Sequence, residues 1–338
     1  MSKRRSDYFD LSTRDRKGEM MTVFEHIKQS GIMPVITIPT AAHAIRLAQT
    51  LRESGIYQIE VTLRNKNALD CIAAIRESFP DMVIAAGTVH TPEQVVEAQR
   101  AGVNLCVTPG INEPVIQQCQ KINMPVLPGI ATPTEIEKAM ELGLMHLKFF
   151  PAELMGGLQT IKQFHGPYPQ VDFIPTSGMS FSNIGGYLSE PEILAVGGSF
   201  MAPSDKVRSE DWDGIRELCE KAVKISLNFH LVHVGINAGE TGRNVAFEIG
   251  EAFGIGIKEG KRSDFAGDII ECCKVQFPGT YGHIAIGTRS VERAVAFLEK
   301  KGYTMRKDYQ NTDAAGNLNC VYLEKEFGGF AIHLLREA

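Results

Sequence analysis

The sequence predicts an α/β protein: a closed parallel (β/α)8 barrel over residues 23–226, followed by a smaller α+β domain over 229–338. Three observations carry this. Short apolar stretches alternate with amphipathic ones eight times in the first two-thirds of the chain. Those stretches are apolar on both strand faces, as in parallel sheets covered by helices. At 338 residues, the chain also exceeds the size of most single compact domains.

The candidate strands are 34–38, 57–63, 83–89, 105–109, 126–130, 146–150, 172–176 and 194–197, recurring roughly every twenty to twenty-six residues as minimal βα units do. Local signals support the helices between them. In 41–54, residues Ala41, Ala44, Ile45, Ala48 and Leu51 share one helical face. Thr91-Pro92-Glu93-Gln94 and Thr132-Pro133-Thr134-Glu135 each offer a threonine N-cap, a proline at the first helical position and a Gln or Glu that closes a capping box. Gly55, Gly102 and Gly143 stand where helices end, at positions suited to positive φ. Residues 204–223 read as a last, charged helix. An open doubly wound sheet is the alternative, but it would more naturally carry a G-x-G-x-x-G turn after its first strand, and none is present.

Net charge is −5 with acidic and basic residues mixed throughout, so no basic stripe marks a nucleic-acid partner. No apolar run approaches the roughly twenty residues that span a bilayer, so no membrane partner is expected. Residues 1–22 carry basic charge without an apolar core and read as a flexible tail rather than a secretory signal. Seven cysteines, an odd number without a C-x-x-C pair, are expected to be reduced thiols of a cytoplasmic protein rather than a disulfide framework or a structural zinc site.

In a barrel, ligands bind at the carboxyl ends of the strands. The stretch His146-Leu147-Lys148-Phe149-Phe150-Pro151-Ala152-Glu153 places one lysine among bulky apolar neighbours. An ammonium in such a place loses hydration, which favours the neutral amine that attacks carbonyl carbons. The plainer reading is a strand-end lysine whose stem reaches solvent. The second strand ends Glu60-Val61-Thr62-Leu63-Arg64, where alternation points Glu60, Thr62 and Arg64 the same way. Charges directed into a barrel are costly unless paired or used. Glu60 is therefore a candidate for proton transfer and Arg64 for holding a carboxylate, with a Glu–Arg ion pair as the structural alternative. The seventh and eighth strands end Thr176-Ser177-Gly178 and Gly197-Gly198-Ser199, where backbone N–H groups and hydroxyls form an anion site.

With Pro34-Val35-Ile36, Ala86-Gly87-Thr88-Val89, Pro109-Gly110, Leu127-Pro128-Gly129 and Gly166-Pro167, these stretches make residues 24–223 resemble the Schiff-base (class I) aldolases that cleave 2-keto-3-deoxy-6-phosphogluconate (KDPG) and 4-hydroxy-2-oxoglutarate (KHG). The resemblance implies a TIM barrel with Lys148 as nucleophile and Glu60 as proton carrier. It also implies that Arg64 and Thr88 hold the substrate carboxylate, and that Ser177, Gly178, Gly198 and Ser199 hold the phosphate. A small 2-keto acid is the implied substrate, no cofactor or metal is required, and a homotrimer is the implied assembly. Relatives usually have two glycines after the threonine of the seventh loop, whereas the first is Ser177 here; some carry an arginine near the position of Gly31. Both departures bear on the distal group of the substrate. Two alternatives remain: a generic phosphate-binding barrel, and a barrel without catalysis joined to a metabolite-sensing or metal-binding module.

The C-terminal region contains two similar halves, one from His233 to Glu271 and one from His283 to His333, each opening with a His-bearing strand and an amphipathic helix, the second at 291–300. The layout resembles the glyoxalase-like (vicinal oxygen chelate) fold of paired βαβββ modules. That resemblance implies His233, Glu271, His283 and His333 as ligands of a divalent metal, a credible donor set. Spacing alone favours the plainer reading, ordinary strand histidines in a module for assembly or sensing.

Overall fold

The computed structural model describes residues 21–314 and 316–337, and the chain divides into two compact units, one ending at Ser226 and the other beginning at Leu227. Of the expected flexible tail, residues 1–20 lie outside the described residues. Thr22 caps a helix instead: its hydroxyl and the Glu25 carboxylate close a reciprocal capping box on α1 (Val23–Ser30).

The strands of the first unit are β1 (Ile32–Ile36), β2 (Gln58–Thr62), β3 (Val83–Gly87), β4 (Leu105–Val107), β5 (Val126–Leu127), β6 (Gly129–Ile130), β7 (His146–Phe149), β8 (Asp172–Pro175) and β9 (Val196–Gly198). Its further helices are α2 (Ala41–Glu53), α3 (Ala68–Ser78), α4 (Pro92–Ala101), α5 (Glu113–Lys121), α6 (Pro133–Glu141), α7 (Gly157–His165), α8 (Ile184–Leu188), α9 (Ser204–Arg208) and α10 (Trp212–Leu227). Two parallel ladders form, β5-β4-β3-β2-β1-β9 and β6-β7-β8. Bridges Phe173↔Ile193 and Thr176↔Gly197 link one margin, and at the other only Pro128 separates β5 from β6. Pro128 has no N–H to give, which interrupts the strand, but its carbonyl accepts from the Lys148 N–H at 2.9 Å.

Successive residues of one strand enter different cores. Ile84 and Ala86 of β3 pack with Leu47, Leu51, Ile72 and Ile75 of the helices, whereas Val83 and Ala85 join Leu105, Val107 and Ile174 on the inner side. Both faces are therefore dry, which accounts for the unbroken apolar runs. Ile59 and Val61 of β2, and Leu147 and Phe149 of β7, belong to the outer packing. Alternation leaves Glu60 and Lys148 on the inner face.

The capping boxes at Thr91 and Thr132 form as expected, and Gly55, Gly102 and Gly143 take φ of 88°, 98° and 77°. Two expectations are corrected. Pro34 lies inside β1, paired with Gly198, rather than opening the strand. The single helix expected at 204–223 is α9 and α10, broken where Glu210 takes φ 56° and the Asp211 carboxylate accepts from the Gly214 N–H.

The second unit has β10 (His230–Asn237), α11 (Gly242–Phe253), β11 (Ile257–Glu259), β12 (Ser263–Ala266) and β13 (Ile270–Cys273), then β14 (Gly282–Thr288), α12 (Val291–Lys300), β15 (Met305–Thr312), β16 (Leu318–Phe327) and β17 (Phe330–Arg336). Each half is thus βαβββ. The strands form one sheet, ordered β11-β12-β13-β10-β14-β17-β16-β15, in which β10 runs parallel to β13, β14 parallel to β17, and β10 antiparallel to β14.

Candidate active site

Glu60 and Lys148 come from strands that are not neighbours in either ladder, yet Lys148 Nζ lies 3.3 Å from Glu60 Oε1 and 3.4 Å from Oε2. The Lys148 side chain is only 8% exposed and that of Glu60 4%. Room for the carboxylate depends on Gly87 of the adjacent β3, since a Cβ there would stand 2.1 Å from Glu60 Oε1. The Glu–Arg ion pair weighed from the sequence is replaced by this Glu–Lys pair.

Arg64 lies beyond the end of β2, so strand alternation does not position it. It is exposed and donates from Nε to Thr88 Oγ1 at 3.2 Å. Thr88 holds φ 63°, an outlier for a β-branched residue, immediately after β3. Arg64 also lines a cavity of about 410 Å³ with Ser177, Gly178, Gly198 and Ser199, bringing the expected carboxylate-binding arginine and the four expected phosphate ligands to one opening. Thr62 and Phe150 line it as well, and the Phe150 ring centroid is 5.7 Å from Lys148 Nζ. Ser177, the departure from the usual glycine, keeps a left-handed φ of 83° despite its side chain.

Sequence reasoning missed the support beneath this loop. The Glu153 N–H donates to the Ser177 carbonyl at 3.3 Å, and the Tyr187 hydroxyl donates to the Glu153 carboxylate. Burial, reinforced by that hydrogen bond, pushes the Tyr187 phenol up, so it stays a donor. Glu153 closes the lysine-bearing stretch and was open to notice; Tyr187, thirty-four residues away, carried no signal. The cavity also includes Thr37, whose hydroxyl is 2.7 Å from that of Thr62.

In the second unit the four residues expected to bind metal do converge. His233 Nε2 is 3.1 Å from His283 Nε2 and 3.3 Å from Glu271 Oε2, and His283 Nε2 is 2.9 Å from that same oxygen. One ring nitrogen from each of His233, His283 and His333 lies within 4.8 Å of the others. Gly235, paired with His283 across β10 and β14, admits its ring: a Cβ would fall 2.1 Å from His283 Cε1. His333 Nδ1 is engaged by Cys320 Sγ at 3.1 Å, its ring stacks on Tyr322, and its buried Nε2 has no partner. Burial, with the neighbouring His283 and His233, pushes His333 down to about 3, and burial lowers His233 too. Burial alone would raise the Glu271 carboxyl, but hydrogen bonds from His283 and Ser263 outweigh it and hold the group below its ordinary range. Neutral imidazoles beside an ionised carboxylate are the protonation states that bind cations.

The family model for KDPG and KHG aldolase matches residues 23–218. A 2-dehydro-3-deoxy-phosphogluconate aldolase of Haemophilus influenzae is 41% identical over 203 residues, covering 60% of this chain and 96% of that protein. The KHG/KDPG aldolase of Escherichia coli K12 is 38% identical over 204 residues, again 60% of this chain and 96% of the relative. Among solved structures, the KDPG aldolase of Legionella pneumophila, with pyruvate captured at low pH as a covalent carbinolamine intermediate, is 36% identical with a TM-score of 0.58, covering 60% of this chain and 98% of that one. The family match ends before the second unit begins.

Gly87→Ala is expected to drive Glu60 off Lys148 while the chain still folds. If the contact serves proton transfer, turnover of the 2-keto acid should fall by about 10²–10⁴-fold, the range for losing a general acid–base, with an unchanged circular dichroism spectrum. Wild-type turnover in Gly87→Ala would contradict the role given to the contact.

Proposed function

The chain belongs to the KDPG and KHG aldolase family and is a carbon–carbon lyase, and from this we propose that its first unit cleaves KDPG to pyruvate and glyceraldehyde 3-phosphate through a Schiff base on Lys148. The observation that carries the reading is the buried contact between Lys148 and Glu60. Glu60 takes the proton from the ammonium, and the freed amine adds to the C2 ketone to give a carbinolamine. Loss of water, with Glu60 returning a proton to the departing hydroxyl, leaves a protonated Schiff base. The C4 hydroxyl then gives its proton to Glu60 as the C3–C4 bond breaks. The bonding electrons pass into the iminium as an enamine, and the aldehyde leaves. Protonation at C3 and hydrolysis release pyruvate and restore the amine. The carbinolamine captured in the Legionella pneumophila relative is in keeping with this sequence.

Arg64 and Thr88 hold the substrate carboxylate, and Ser177, Gly178, Gly198 and Ser199 hold the phosphate, in the loops that usually grip phosphate in a (β/α)8 barrel. The two linked parallel ladders are read as that barrel. KHG, which ends in a carboxylate rather than a phosphate, is the second substrate, cleaved to pyruvate and glyoxylate by the same steps; the Escherichia coli relative is named for both. A cytoplasmic homotrimer belongs to the same proposal. Among the described residues, no helix is long and apolar enough to cross a membrane.

The second unit is read as a glyoxalase-like pair of modules whose His233, Glu271, His283 and His333 hold a divalent metal. Metal bonds of about 2.0–2.1 Å place tetrahedral donors about 3.3 Å apart, and His233, His283 and Glu271 already stand 2.9–3.3 Å from one another. The unpartnered His333 Nε2 offers a further lone pair. Such an ion acts as a Lewis acid toward a bound oxygen. It takes no part in the aldol chemistry.

Lys148→Ala is expected to abolish cleavage, by more than about 10⁴-fold, since no other group supplies the iminium. EDTA should leave wild-type cleavage unchanged, and loss of activity on chelation would contradict the mechanism. Elemental analysis after reconstitution should find one divalent ion per chain, lost in His283→Ala. No bound ion would contradict the reading of the second unit.

A further inference from the structure

A sulfur atom lies beside the histidine and carboxylate set of the second unit. Cys273 follows Glu271 by two residues on β13, so both side chains leave one face of the sheet. Cys273 is fully buried, and its Sγ, a Glu271 carboxylate oxygen and a His283 ring nitrogen lie within 4.8 Å of one another. This trio shares His283 with the group formed by His233, His283 and His333. His333 is itself 6% exposed, and its Nε2 is buried without a partner.

We propose that Cys273 supplies a thiolate ligand to the ion held at this centre, which makes it a mixed nitrogen, oxygen and sulfur site of the zinc class. The inference rests on the metal reading above and extends it to the kind of ion. Charge balance supports it. A divalent cation among neutral imidazoles and the single Glu271 carboxylate keeps an uncompensated positive charge in a dry site, which is costly. One thiolate makes the assembly neutral. As the ion enters, the Cys273 S–H bond gives its proton to solvent and the sulfur lone pair forms the metal–sulfur bond, with no change of oxidation state. The donor is soft, so it selects zinc or cobalt over magnesium, calcium or manganese.

Cobalt(II) titration of the chelator-treated full chain tests this by absorption spectroscopy. Wild type should develop visible ligand-field bands together with an intense thiolate-to-cobalt charge-transfer band in the near ultraviolet. Cys273→Ser should keep the ligand-field bands, lose the charge-transfer band and bind zinc at least about tenfold more weakly. Cys320→Ser should retain the band, because Cys320 contacts His333 Nδ1 rather than the cluster's free nitrogen. His283→Ala should lose both sets. Ligand-field bands without charge transfer in wild type would overturn the role of Cys273 and leave the metal reading standing. Loss of the band in Cys320→Ser would overturn it as well, by naming the other thiol. Absence of all cobalt bands would overturn the metal reading and this inference with it. Should Cys273→Ser fail to fold, the wild-type and Cys320→Ser spectra decide between these outcomes.

Discussion

An ammonium and a carboxylate held 3.3 Å apart in a nearly dry interior are the constraint on which the first unit turns. Dehydrating each ion costs several kcal/mol, and a well-packed apolar pair of similar volume would be as stable or more so. The pair is therefore poor evidence of stabilisation and good evidence of use. Its existence requires that β2 and β7, which are not neighbours in either ladder, present their inner faces to a common space. It also requires that β3 carry glycine at residue 87, beside the carboxylate. Helix packing on the outer face, from Leu47 through Ile75, keeps the strands in the register that makes this meeting possible.

The mouth above the pair is built differently. Arg64, Thr88 and Ser177 stand just past strand ends, where backbone conformation replaces alternation as the positioning device. Thr88 and Ser177 both hold positive φ without being glycine. Glu153 and Tyr187 brace the Ser177–Gly178 loop from below, so a serine in place of the usual glycine meets a fixed backbone rather than a pliant one. In the proposed reading, the distal group of the substrate is the part of recognition most exposed to this difference, and the lysine chemistry the least.

Much of this was legible before any coordinates. The capping boxes at Thr91 and Thr132 are short-range signals that tertiary packing had no reason to override, and both formed. Alternation pointed Glu60 inward, but its pairing with Lys148 was implied only by the family resemblance, and the partner weighed from the strand pattern was Arg64. Less was legible where the deciding contact is distant. The break between α9 and α10 turns on Glu210 entering the left-handed region, which no local pattern requires. Tyr187 finds Glu153 only through the folded loop. In the second unit, His233, Glu271, His283 and His333 sit on four strands whose pairing is entirely non-local, so spacing favoured unconnected histidines whereas the sheet brings them together. Cys273 escaped notice because the expected sulfur signal was C-x-x-C, while here the sulfur joins donors from other strands.

Trapping with pyruvate and borohydride, followed by peptide mass mapping, tests the central claim most directly. Reduction should fix the iminium as a stable secondary amine on the peptide containing Lys148, at one adduct per chain. A chain that turns over its substrate yet carries no adduct, or carries it on another lysine, would contradict the account.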